Sequence, residues 1–216
     1  MSSRTILLAR HGNTFDSSES AVWIGSRQDL PLVAAGREQA RSVAHYLGQR
    51  HQVPARVLCG PLKRTYEFAQ IVCDELSIHQ APSIDHRLDE IDLGSWGGKT
   101  AEEIAALYGM DILVRWDRHG VWPDRAGWVT QYPEFVAQVH DLVREVIWSP
   151  QFAGDAPILL VTSNGRLRFF LSLVKLAFET FAISGAVKVR TGAIGEMSWN
   201  GTEFKVEYWN RSAKDI

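Results

Sequence analysis

Thr5-Ile6-Leu7-Leu8-Ala9-Arg10-His11-Gly12-Asn13-Thr14 decides how this chain is read. A short apolar run stops abruptly at an arginine, a histidine and a glycine. The run has the length and bounded character of a buried strand, and Gly12 lets the backbone turn sharply where it ends. In open α/β sheets, ligands sit beyond the carboxyl ends of strands, so Arg10 and His11 fall where chemistry is usually done. A guanidinium beside an imidazole suits an anionic, phosphorylated ligand. A surface Arg-His pair at a strand end is the plain alternative.

Outward from that stretch, strands and helices alternate. Gly36 to Gln49 reads as a helix, with Ala40, Val43, Ala44 and Leu47 on one face. Arg56-Val57-Leu58-Cys59 is a short strand ending in Gly60-Pro61, and Leu62 to Leu76 follows as a second helix. Arg64 sits in its first turn, where the helix dipole is already positive. A cation there makes sense if an anion lies between the two; a solvated arginine is the commoner situation. Thr100 to Tyr108 is expected to be helical, with Thr100 and Glu103 spaced as a capping box.

Met110 to Tyr132 is the least regular stretch. Its Trp116, Trp122 and Trp128 suit a satellite core better than a lid over a site. Glu134 to Trp148 is a clear amphipathic helix, and Pro157 to Thr162 is a strongly apolar strand ending in Ser163-Asn164-Gly165. Arg166 to Phe178 is apolar nearly all round, so it is deeply buried or shared with a partner, which leaves a homodimer open. Two alternating runs flank Asn200-Gly201, the strongest short hairpin signal. The expected fold is a layered α/β domain: a mostly parallel sheet flanked by helices, with a helical or irregular cap insertion and a C-terminal hairpin. Residues 1–216 are expected to form one domain, with an irregular Trp-rich cap segment at about 100–150.

Composition narrows the function classes. The 216 residues carry 45% hydrophobic and 22% charged side chains, enough for a sizeable core. A net charge of −2 argues against general affinity for nucleic acid, so any anion site must be a local cluster. Cys59 and Cys73 lie in apolar contexts and read as core residues rather than a disulfide framework. No stretch has the layout of a signal peptide or the ~20 apolar residues of a membrane span. The expectation is a soluble cytoplasmic protein with no membrane or nucleic-acid partner.

Taken together, Arg10-His11-Gly12, Arg64, Glu90 and the Asn164 loop resemble the histidine phosphatase superfamily, in its phosphoglycerate mutase-like branch. The similarity covers most of the chain. It begins with Leu8 to Thr14 and continues through Gln28-Asp29-Leu30-Pro31-Leu32 and Gly36-Arg37-Glu38-Gln39-Ala40. Gly60-Pro61-Leu62-Lys63-Arg64-Thr65 is similar to the family's second phosphate-arginine motif. Leu88-Asp89-Glu90, followed by Gly94-Ser95-Trp96-Gly97-Gly98-Lys99-Thr100, resembles its acidic loop. The motifs occur in the family's order and spacing.

The resemblance implies that His11 is the nucleophile and takes a phosphoryl group onto a ring nitrogen. Arg10 and Arg64 would neutralise the phosphoryl oxygens, and Glu90 would act first as general acid and then as general base. Arg10, Asn13, Ser17, Gly25, Arg64, Asn164 and Gly165 would bind a small phosphorylated substrate. The resemblance implies neither a metal nor a cofactor.

One departure is prominent. Where the family's motif after the last parallel strand carries a second histidine, this chain has Asn164 between Ser163 and Gly165. Asparagine can donate a hydrogen bond to a phosphoryl oxygen but can never carry positive charge. Loss of one such electrostatic donor lowers rates by about 10²–10³-fold. Gly97 also stands where the acidic loop often has glutamate. The sequence therefore supports a phosphomonoesterase of reduced activity, with a catalytically weak or inactive phospho-ligand-binding protein of the same fold as the second class.

Overall fold

A computed structural model describes residues 3–124 and 126–212. Six strands form one sheet in the order β3-β2-β4-β1-β5-β6. The strands are β1 (Arg4–Arg10), β2 (Arg56–Cys59), β3 (Ser83–Ile84), β4 (Ile158–Thr162), β5 (Ala193–Trp199) and β6 (Phe204–Ser212). The first four run parallel, and β5 and β6 close the sheet as an antiparallel hairpin. The layered α/β expectation therefore holds, and the sheet is mixed because its hairpin packs directly against β1.

Strand period places alternate residues on opposite faces. Leu7 and Ala9 of β1 join Val57, Cys59, Leu159 and Val161 on one face, beneath α1 (Ala34–Gln49) and α2 (Lys63–Glu75). Ile6 and Leu8 join Leu58, Ile158 and Leu160 on the other. That face is covered chiefly by α5 (Tyr132–Trp148), through Phe135, Val139, Leu142, Val143 and Val146. Cys59 and Cys73 are buried free thiols, and burial pushes Cys59 up to about 12. No helix among the described residues is long and apolar enough to cross a membrane.

α3 (Ala101–Tyr108) opens on the expected capping box: Thr100 accepts from the Glu103 N–H and Glu103 accepts from the Thr100 N–H. Two expectations are corrected. The stretch read as least regular begins with a ten-residue helix, α4 (Met110–His119), between Gly109 and a left-handed Gly120. Its pattern is hard to see because exposed Met110 and Val114 share the helix with buried Leu113 and Trp116. The segment Arg166 to Phe178 is not one helix either. It divides into α6 (Asn164–Leu167), a 3-10 stretch (Arg168–Leu173) and α7 (Ala177–Ile183), with Leu176 left-handed at φ 62°. No glycine or proline marks that break. Phe169, Phe170 and Leu171 are buried, Phe169 and Phe170 within the core that also holds Trp96 and Trp116.

Candidate active site

The carboxyl ends of β1 and β4 lie side by side, because the His11 N–H donates to the Thr162 carbonyl at 3.1 Å. The chain turns at once into the crossing of Gly12 with Gly36 at the start of α1. A Cβ on Gly12 would collide with the Gly36 carbonyl, and one on Gly36 with the Asn13 carbonyl. Two glycines thus let α1 press against the turn that presents His11.

His11 is 4% exposed, and its Nδ1 lies 2.7 Å from the Gly12 carbonyl. A carbonyl can only accept, so Nδ1 carries the proton and Nε2 is left with a free lone pair. Burial, then the Arg64 and Arg10 charges, hold His11 well below the usual histidine range, against a smaller upward push from the Gly12 hydrogen bond. The ring is therefore neutral at physiological pH, with its lone pair at Nε2.

Arg10 donates through Nη1 to the Val189 carbonyl at 2.6 Å, while its buried Nε has no acceptor. Arg64 is fully buried in the first turn of α2, where its Nη1 and Nη2 donate to the carbonyls of Gln28 and Gly25 at 2.7 and 3.1 Å. Its Nε is also buried without a partner. A buried donor without an acceptor is costly, and two such donors on neighbouring cations mark a place that favours an anion. Burial lowers Arg10 to about 10, which leaves it charged at neutral pH.

Glu90 is anchored at both oxygens: Oε1 accepts from the Ile91 N–H at 2.8 Å and Oε2 from the Gly165 N–H at 3.1 Å. Gly165 makes this approach feasible, since a Cβ there would collide with Glu90 Oε1. The acidic loop is tied to the end of β4 by Thr162, whose hydroxyl donates to the Leu88 carbonyl at 2.6 Å.

Two asparagines have their orientation set by their partners. The Val189 N–H donates to Asn164 Oδ1 at 3.0 Å. The Thr191 hydroxyl and the Gln39 amide both donate to Asn13 Oδ1. With each carbonyl oxygen engaged, each amide NH₂ remains available as a donor. Both residues line a cavity of about 690 Å³ together with Arg10, His11, Ser17, Glu90 and Gly165.

Two expected binding residues lie outside that lining. Gly25 is buried and serves Arg64 through its carbonyl, and Arg64 itself sits behind the cavity wall. Among the described residues, no histidine other than His11 lines the cavity.

Neither Arg166 nor Arg168 is among the site residues that the sequence suggests. Arg166 is 3% exposed and donates to the Asp89 carbonyl, the Phe135 carbonyl and Gln138 Oε1 at 3.0, 2.7 and 2.9 Å. It thereby locks the loop bearing Glu90 to α5. Arg168 is fully buried, donates to the Trp116 carbonyl at 2.6 Å and lies 4.0 Å above the Trp116 ring. It joins α4 to the segment after Asn164. The available signal was two arginines inside an otherwise apolar run, which is an expensive place for unpaired charge.

The tryptophans build a satellite core: Trp128 meets Trp96, Trp116 and Trp122 edge-on, with ring centroids 5.1, 4.9 and 5.0 Å apart. Of these four, only Trp116 reaches the cavity. The cluster braces α4, whose inner face forms one cavity wall.

A neutral imidazole nitrogen, a guanidinium, two amide donors and an anchored carboxylate around one cavity can receive a phosphate ester and exchange protons with it. Residues 6–212 match the profile of the histidine phosphatase superfamily (branch 1). The chain is 27% identical to the glucosyl-3-phosphoglycerate phosphatase of Mycobacterium tuberculosis, over 99% of this chain and 97% of that protein. It superposes on a solved mycobacterial glucosyl-3-phosphoglycerate phosphatase in complex with VO3 with a TM-score of 0.79 and 26% identity, covering 97% of this chain and all of that one. A structure described as a putative alpha-ribazole-5'-P phosphatase from Escherichia coli shares the fold, with a TM-score of 0.71 and 23% identity over 97% of each chain.

Proposed function

The chain belongs to the histidine phosphatase superfamily (branch 1), and we propose that it hydrolyses a small phosphate monoester through a phosphohistidine on His11. The observation that carries this reading is the Nδ1–Gly12 hydrogen bond, which leaves Nε2 unprotonated in a cavity that Arg10 and Glu90 also line. Nε2 forms a bond to phosphorus as the ester P–O bond breaks, and the leaving oxygen takes a proton from the Glu90 carboxylic acid. Glu90, now a carboxylate, takes a proton from water. The water oxygen attacks phosphorus, the P–N bond breaks, and inorganic phosphate leaves with His11 restored. Arg10, Asn13 and Asn164 would hold the phosphoryl oxygens, and Arg64 would add positive charge from behind.

Hydrolysis of an aryl phosphate by the purified protein tests the proposal. His11→Ala should reduce turnover to background, with the folded state checked by circular dichroism. Turnover unchanged in that variant overturns the nucleophile assignment. A second reading, capture of a phosphorylated ligand without efficient turnover, draws on Asn164, a neutral side chain whose oxygen is committed to Val189. Phosphate binding with no hydrolysis by the wild type would favour it.

A further inference from the structure

The cavity extends well beyond the space a phosphoryl group fills, and its lining combines the polar site residues with a set of large apolar side chains. At about 690 Å³ it falls within the range of about 300–1,000 Å³ that accommodates whole drug-sized molecules. His11, Arg10, Glu90 and the two asparagines share the lining with Trp23 and Ile24 from the loop after β1, Leu93 from the acidic loop, and Met110, Leu113 and Val114 from α4. Met110 and Val114 are 58% and 41% exposed, large apolar side chains left at the mouth of a cavity on a helix otherwise rich in charge.

The charged residues along the lining do not form a second anion site. Asp16 and Glu19 lie on the loop after β1, while the Lys188 ammonium is already paired with Asp117 at 2.8 Å. Arg118 is one cation among those carboxylates. A second phosphate or a carboxylate on the substrate would meet more negative than positive charge there. An uncharged apolar group would instead cover Trp23, Ile24, Leu93, Met110, Leu113 and Val114 and remove that apolar surface from water.

The geometry points to a phosphate monoester of a bulky, uncharged and mainly apolar alcohol as the class of ligand this cavity selects. The inference rests on the proposed function for the phosphate and adds the identity of the leaving group. Trp23 meets Trp96 edge-on at 5.3 Å, and Leu93 belongs to the same buried core, so this apolar part of the lining is preformed.

The test compares three primary alkyl phosphates of similar intrinsic reactivity: phenylbutyl phosphate, glycerol phosphate and phosphoglycerate. Wild type should turn over phenylbutyl phosphate with kcat/KM at least ~10-fold above the other two, the size of effect expected of apolar contacts in a pocket. The same order should hold for the Kd of the three non-hydrolysable phosphonates, measured by calorimetry. Val114→Thr, which keeps the side-chain shape, and Val114→Asp should lower the phenylbutyl-to-glycerol ratio progressively.

Equal affinities for the three phosphonates, or preference for phosphoglycerate, overturn the inference. Preference for the phenylbutyl phosphonate without turnover of any ester upholds it and overturns only the hydrolytic reading.

Discussion

Gly165 shows how one residue without a side chain can fix the position of a carboxylate. Its backbone N–H holds Glu90 Oε2, and the missing Cβ leaves room for Oε1. Its backbone is helical, so alanine there is conformationally acceptable and any effect comes from the collision alone. Gly165→Ala should therefore retain its fold while kcat falls about 10²–10⁴-fold, the range of general acid–base catalysis. Steady-state kinetics beside a thermal melt would separate the two effects, and wild-type kcat in the variant would remove Glu90 from the mechanism.

Asn164 poses the converse question. Histidine at this position would give up the bond from the Val189 N–H when protonated, but would then offer a cationic donor to the cavity. Asn164→His should raise kcat about tenfold or more, towards the 10²–10³-fold worth of one such donor. No gain would indicate that the neighbouring Arg10 and Arg168 charges hold the new ring neutral. At this scale the sequence was highly legible. His11, Arg10, Glu90, Asn164 and Gly165 each stand in a motif beside a strand end or glycine turn, and all five line the cavity. Ser17 and Asn13 also reach it, whereas Arg64 and Gly25 lie behind it.

Among the elements, local signals read correctly wherever they were self-contained. The capping box of α3 is complete within four residues, Thr100 to Glu103, and needs no tertiary partner. Thr100→Ala should cost about 1 kcal/mol of stability, measurable as a lower urea midpoint at unchanged m-value. A variant as stable as wild type would mean that α3 is held by packing alone. The strands β1, β2 and β4 were equally plain, being short apolar runs stopped by glycine or a polar turn.

The failures have a common cause. α4 is stabilised by the tryptophan cluster beneath it and by Arg168 bonding to its Trp116 carbonyl, partners that come from elsewhere in the chain. The break after Leu173 is likewise imposed from outside. Phe169 stacks on Phe178 at 5.3 Å across the turn, and a continuous helix would separate them. Neither α4 nor this break could be recognised from residues a few positions apart.

Across the whole molecule, the site concentrates buried cations. Arg10, Arg64, Arg166 and Arg168 all surround it, with Glu90, Asp89 and Asp117 as the counter-charges that raise one or another of them against the dominant cost of burial. A bound oxyanion should relieve part of that cost. Inorganic phosphate at about 100 times its Kd should stabilise the fold by about 2.7 kcal/mol, seen as a raised Tm that Arg10→Met diminishes. A Tm indifferent to phosphate at every concentration would argue against an anion site.

The sequence by itself determined the layered α/β architecture, the family resemblance and the motifs that bring Arg10, His11, Glu90 and Asn164 to one cavity. Strand period, turn glycines and short motifs are local chemistry, carried by residues adjacent in the chain. Tertiary structure alone decided that Arg64 donates to the carbonyls of Gln28 and Gly25, that Arg166 and Arg168 tie the acidic loop and α4 to the segment after β4, and that apolar side chains from the loop after β1, the acidic loop and α4 meet in one cavity. Those properties arise where β1, α4 and the β4–β5 connection converge. A contact between residues tens of positions apart leaves no periodic trace in the chain that encodes it.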